Sequence, residues 1–231
     1  MLEDMNLFRE KNLINLYHGS ESIIKQPEYG KGNLFNDYGK GFYCTPHLNL
    51  AKEWSVGRDH DGYANKYELD LSDLNVLDLQ KMDILYWVTI LLENRDLHKT
   101  DTFIPGGYEY LVKHYHLDLS NYDVIVGYRA DDSYFSYMRK FMSSTLSIEQ
   151  LCDVLKYGDL GLQYVLISKK AFSKIKFLGV SHVSKNIYLP RKNKRDTKAR
   201  TDFQNLEINP NGIFLLNLLQ AEQRGDSNEN E

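Results

Sequence analysis

Two short stretches carry residue types and spacings suited to gripping a flat polar ligand. Tyr17-His18-Gly19-Ser20 closes an apolar run. Tyr38-Gly39-Lys40-Gly41-Phe42-Tyr43-Cys44-Thr45 follows after a loop, with Ala51 and Trp54 beyond it. Tyr43 and Trp54 stand eleven residues apart. Aromatic faces attract a cation laid over them, so such a pair can hold a flat cationic ring. An extended backbone at Gly19 offers a donor and an acceptor side by side, the complement of a carboxamide. Glycine has no Cβ to block the approach. Each stretch alone reads equally as a strand end with a satisfied histidine, or as core aromatics. Their agreement favours a binding role.

The elements that must position these groups follow from local pattern. Leu13 to His18 reads as a strand, 21 to 39 as a loop rich in Gly, Asn, Pro and Lys, and Gly41 to Thr45 as a second short strand. Pro46 suits the first turn of a helix carrying Ala51 and Trp54. Tyr67 to Leu71 alternates apolar and polar as a half-buried strand does, and Asn75 to Leu79 does so in part. Asp83 to Arg95 predicts a helix with a broad apolar face, and 101 to 107 a loop punctuated by Pro105, Gly106 and Gly107. Tyr122 to Gly127 is a buried-strand signal, with a turn at Arg129 to Ser133 and a helix from Tyr134 to Met142. Ser147 with Gln150 fits a capping box before Leu151 to Leu155. Leu162 to Ser168 reads as a strand, and Lys169 to Leu178 as a helical turn and strand.

Composition bounds the function. The chain has 231 residues, 42% of them hydrophobic, enough for one sizeable core. Aromatic residues make up 13%, with 17 tyrosines, which suits a fold lined for stacking and hydrogen bonding. The formal net charge of -4 is not that of a chain built to coat nucleic acid. Two cysteines, Cys44 and Cys152, are too few for a disulfide framework. Met1 to Arg9 does not read as a secretory leader, and the apolar run Ile84 to Leu92 is too short to span a bilayer. A cytoplasmic protein without membrane partners is the expectation. His114 and His116 lack acidic or cysteine partners at ligand spacing, so no metal is expected. Gly39-Lys40-Gly41 lacks the longer phosphate-loop pattern. Cys44 has no general-base partner in sequence and reads as a strand filler.

The stretch Gly39 to Tyr43, with Ala51 and Trp54, resembles the second block of poly(ADP-ribose) polymerases and diphtheria-toxin-like ADP-ribosyltransferases. Tyr17-His18-Gly19-Ser20 resembles their first block. Tyr122-Asp123-Val124-Ile125-Val126-Gly127 with Ala130-Asp131-Asp132 resembles an uncharacterised bacterial family of that superfamily, found beside antitoxin-like genes. The resemblance spans residues 13 to 178. It implies an α+β fold of split mixed sheets around an NAD cleft with helices outside, over residues 1–180. A basic and then acidic extension, partly disordered, occupies 181–231. It implies NAD as substrate, with His18 on the adenosine ribose. Gly19, Ser20, Tyr43, Thr45 and Trp54 would hold NAD. His18, Tyr43 and Gln163 would form the catalytic triad.

Gln163 departs from the glutamate of the polymerases. Its amide can hydrogen-bond a ribose hydroxyl but cannot take a proton. That argues against chain elongation and for mono-transfer to an acceptor atom that is already nucleophilic. Asp131 or Asp132 could supply a carboxylate, or could simply cap the next helix. The resemblance thus implies an NAD-dependent mono-ADP-ribosyltransferase acting as a toxin or antiviral defence effector on RNA, DNA or protein, with a small antitoxin as possible partner. The alternatives are an NAD glycohydrolase and a catalytically silent NAD-binding module. The cations between Arg191 and Arg200 read as a solvated linker, as a contact for nucleic-acid phosphates, or as a dock for an acidic partner.

Overall fold

The computed structural model describes residues 12–95, 103–130, 132–154, 161–207 and 209–228. In chain order these form β1 (Leu13–Ser20), β2 (Phe42–Cys44), α1 (Leu48–Ser55), β3 (Gly62–Asp70), β4 (Val76–Asp78) and α2 (Ile84–Arg95). Then come α3 (Gly107–Tyr115), β5 (Val124–Tyr128), α4 (Asp132–Met142), α5 (Ile148–Val154), β6 (Leu162–Leu166) and α6 (Lys169–Ser173). The last three are β7 (Ile175–Val183), α7 (Lys185–Gln204) and α8 (Leu215–Asn228).

The architecture is α+β with two sheets. One is antiparallel, in the order β1-β3-β7. The other is mixed, in the order β2-β6-β5-β4, with β4 and β5 parallel. Strand alternation sends Leu16, Tyr67 and Leu69 of the first sheet inward to meet Phe42, Val124, Val126 and Leu166 of the second. The larger core lies around α2. This helix buries residues all round, as its almost wholly apolar sequence requires. Ile125 and Val165 of the second sheet, Leu111 of α3, Phe141 of α4, Leu151 of α5 and Leu215 of α8 close on it.

An isolated bridge joins the sheets. Tyr17 N donates to Thr45 O at 2.8 Å and Thr45 N to Tyr17 O at 2.9 Å. Backbone groups on a strand alternate in direction, so Gly19 also turns its N–H and C=O toward the β2 side. The ladder register would set Gly19 opposite Tyr43. There the side chain of His18 takes the Tyr43 carbonyl, with Nδ1 at 2.6 Å. The strands therefore separate, and the backbone groups of Gly19 face the opening.

The capping box forms in both directions: Gln150 N donates to Ser147 Oγ at 3.2 Å and Ser147 N to Gln150 Oε1 at 3.3 Å. The C-terminal region differs from expectation. The boundary expected at residue 180 falls inside β7, which pairs with β3 as far as Val183. The basic run is not a linker but part of the twenty-residue helix α7. Arg195 of α7 grips Glu53 of α1, with Nε at 2.8 Å from Oε2. Residues 221–228 lie in α8, where Glu222 meets Lys113 at 2.7 Å and His114 at 2.8 Å. Pro190 sits inside α7, costing the hydrogen bond its missing N–H would have given to Asn186. No helix among the described residues is long and apolar enough to cross a membrane.

Candidate functional site

Where β1 and β2 separate, a cleft of about 880 Å³ opens. That is the size of a site for a large small-molecule ligand. His18 and Gly19 come from β1, Phe42 and Tyr43 from β2, Trp54 from α1 and Gln163 from β6. Part of the loop between β1 and β2, together with Arg129, Ala130 and one face of α7, completes the wall.

His18 is held by its own neighbour. A carbonyl only accepts, so Nδ1 carries the proton in the bond to Tyr43 O. Burial pushes its pKa below the ordinary histidine value, against the raising effect of the Tyr43 carbonyl. The neutral ring therefore presents Nε2 as an acceptor. Phe42 packs on it with ring centroids 4.5 Å apart.

The phenol of Tyr43 is committed to the loop. It donates to Gly39 O at 2.7 Å and accepts from Tyr38 N at 3.0 Å. Burial raises its pKa far above the usual range, so it stays neutral and acts as a fixed ring. Gly39 closes that turn with φ 71, a conformation glycine adopts without strain.

Gln163 lies opposite Gly127 across the β5–β6 pair and is only 5% exposed. Its Oε1 is buried and has no hydrogen-bond partner. Buried acceptors are nearly always satisfied, so an orphan in a cleft wall calls for an explanation. Gly127 cannot carry a side chain, because a Cβ there would meet Tyr38 Oη at 2.2 Å. That hydroxyl is fixed by bonds to Tyr128 O at 2.6 Å and from Trp87 Nε1 at 3.0 Å.

The other expected positions fare differently. Gly19 lines the cleft, but the side chain it lacks would point elsewhere: a Cβ would meet Ala51 O at 2.0 Å and Ser55 N at 2.9 Å. Close packing of α1 on β1 requires the glycine, and only its backbone faces the opening. Trp54 lines the cleft, yet the Arg129 guanidinium lies over its ring at 4.9 Å and its indole Nε1 is buried without a partner. One face of the Trp54 ring is therefore taken by Arg129, while Tyr43 and Trp54 both stay in the cleft wall.

Thr45 is a correction. It is 0% exposed, its backbone forms the bridge to Tyr17, and its Oγ1 accepts from His47 N at 3.2 Å. No ligand in the cleft can touch it. Ser20 is outside the cleft lining. Its hydroxyl donates to Ser22 O at 2.6 Å and accepts from Asn65 Nδ2 at 3.0 Å. Asp131 lies outside the described residues, and Asp132 begins α4. His114 and His116 pair with Glu222 and Glu93 on the surface. Cys44 is buried, which raises its thiol pKa far above the usual range. Among the described residues no cluster of three or more His, Cys, Asp or Glu is placed to hold a metal.

Several site residues escaped the sequence reading. Asp37, 4% exposed, is a buried carboxylate of the cleft wall. It takes Arg95 Nε at 3.2 Å and Ala130 N at 3.0 Å. Burial raises its pKa, opposed by these two donors. Asp37 thus ties the loop to α2 and to the turn after β5. Asn65, fully buried, accepts from Ile24 N at 3.0 Å and donates to Ser20 Oγ, anchoring the loop's other end. Lys192, Asp196 and Arg200 also line the cleft. The run that holds them is so rich in charge that no apolar period marked it as a helix.

Residues 14–177 match the family described as "Protein of unknown function (DUF3990)". No curated protein and no solved structure matches the chain.

Proposed function

The chain belongs to the DUF3990 family, and we propose that it binds NAD in the cleft and transfers a single ADP-ribose unit from it. The observation that carries this reading is the buried, unpartnered Oε1 of Gln163 in the same cleft as His18 and Tyr43. Such an oxygen suits a ligand hydroxyl, and the nicotinamide ribose offers one. The arrangement around it agrees. Neutral His18 accepts from a second ribose hydroxyl through Nε2. The backbone of Gly19 faces the opening with a donor and an acceptor for the carboxamide. Tyr43 supplies a rigid aromatic face. The split of the two sheets at this point fits the ADP-ribosyltransferase-like fold that these residues resemble.

In the proposed reaction the bond between ribose C1 and the nicotinamide nitrogen breaks, and its electron pair neutralises the pyridinium. The ribose passes through an oxocarbenium-like state, and the acceptor's lone pair forms the new bond at C1. Gln163 orients the adjacent hydroxyl and takes no proton. Asp37 is tied to Arg95 and the Ala130 N–H, so it is not a free base either. The acceptor must therefore bring its own nucleophilicity, as a nucleobase nitrogen does, and release its proton to solvent. The same amide at Gln163 favours a second reading, in which NAD binds but water is the acceptor or no turnover follows.

The deciding experiment incubates the full chain with NAD labelled in the adenosine half, with and without cellular RNA, DNA and protein. Label on a macromolecule supports transfer. Free ADP-ribose supports the hydrolase, and retention of intact NAD the silent module. NAD binding unchanged in both His18→Ala and Tyr43→Ala would overturn the placement of the ligand.

A further inference from the structure

The matched family region ends at residue 177, yet the cleft does not. Helix α7 begins at Lys185 and presents Lys192, Asp196 and Arg200 to the cleft. Residues four and eight apart on a helix share a face. Arg195 and Ala199 set which face this is. Arg195 reaches Glu53 of α1, and Tyr137 Oη of α4 donates to Ala199 O at 3.3 Å. Lys52 Nζ, at 3.1 Å from Tyr188 Oη, fixes the start of the helix. The stripe is therefore held against the site by contacts that do not use its cations.

The other cations at the cleft are engaged. Lys31 pairs with Glu28 at 2.9 Å, Arg95 is bound to Asp37, and Arg129 lies over Trp54. Lys192 and Arg200 form no ion pair with a described residue. Along the helix their Cα atoms are about 12 Å apart, and both side chains are long enough to converge on a group between them. Two cations against the carboxylate of Asp196 leave this wall net positive, while Gln163 on β6 keeps an unsatisfied acceptor in the same cleft.

We infer that Lys192 and Arg200 form a diphosphate-binding clamp, supplied by a helix outside the family's matched region, that holds the diphosphate of a dinucleotide whose sugar meets Gln163. This rests on the reading of the cleft as an NAD site and adds which groups neutralise the ligand's two negative charges. Phosphate bound by ammonium and guanidinium groups makes charge-assisted hydrogen bonds, the stronger kind. At this partly open wall they weaken with salt.

The test titrates the full chain with NAD, ADP-ribose, inorganic diphosphate and nicotinamide, in the parent and in Lys192→Gln, Arg200→Gln and the double variant. Both positions are on the helix surface, and Lys194→Gln makes the same charge change on an exposed position outside the cleft lining. Each cleft variant is expected to weaken ADP-ribose and NAD about tenfold, and the double about a hundredfold, at roughly tenfold per 1.4 kcal/mol. Nicotinamide affinity and the Lys194→Gln control should not move, and the double variant should lose most of the salt dependence.

If NAD binds the parent and the double variant alike, the clamp is wrong and the NAD reading stands. If the parent binds inorganic diphosphate and ADP-ribose but not NAD, and the double variant loses both, the clamp stands and the NAD reading falls. If the parent binds none of the phosphates, both are overturned. If the double variant loses RNA retention while ADP-ribose binding is unchanged, the stripe is a nucleic-acid contact and the clamp is wrong.

Discussion

At the scale of single residues, Gln163 sets binding against stability. A buried acceptor without a partner costs the folded state about 1–3 kcal/mol. Gln163→Leu keeps the volume and removes the orphan. The expected outcome is an unfolding free energy equal to or above that of the parent by about 1 kcal/mol, with NAD affinity reduced at least tenfold. Urea unfolding and calorimetric titration of the same preparations check both halves. A Gln163→Leu protein that is clearly less stable would mean that the amide has an internal partner and no ligand role. Thr45 is the opposite case. It stands two residues from Tyr43, but the backbone bridge to Tyr17 buries it in the weld between the sheets, and proximity in sequence misplaced it.

At the scale of elements, what was legible depended on where the partners lie. β1, β5 and α2 show their periods within a short window, and Ser147 with Gln150 caps α5 as the residues between them imply. Helix α7 does not, being polar around most of its surface. Its docking comes from Glu53, 142 positions away, which no local pattern contains. Asp37 was missed for the same reason, since its donors Arg95 and Ala130 are 58 and 93 positions distant.

The ion pair that docks α7 is open to a direct test. Glu53 is buried and Arg195 mostly so. Removing Arg195 alone strands a buried carboxylate, a loss of about 3 kcal/mol. Arg195→Met is expected to show that loss, together with faster amide exchange across residues 185–204 and weaker ADP-ribose binding. The double variant Glu53→Met, Arg195→Met should recover much of the stability, because the buried carboxylate is removed together with the guanidinium that paired it. Equal losses in the single and double variants would point to packing by the arginine stem instead.

At the scale of the molecule, the matched region and the C-terminal helices share one hydrophobic core. Leu215 at the start of α8 is 0% exposed within the main core. Its Cδ2 sits 3.0 Å from where a Cβ on Gly107 would be, which is why α3 begins with a residue that has none. The approach to α8 is bonded to α5 and the turn before it: Ile148 N donates to Ile213 O at 2.8 Å, Gln150 Nε2 to Glu207 O at 2.6 Å and Leu216 N to Ser144 Oγ at 3.0 Å. A leucine buried to this degree costs about 2–5 kcal/mol when cut to alanine. Leu215→Ala is therefore expected to lower the urea midpoint of the whole chain. The two tryptophans make the distinction measurable, since Trp87 lies in the core around α2 and Trp54 lines the cleft. If α7 and α8 belong to the same unit, loss of helical circular dichroism and the tryptophan fluorescence change shift together. An early loss of helix with the fluorescence transition left in place would make the C-terminal helices a separable appendage, and the cleft wall that α7 supplies would be a mobile one.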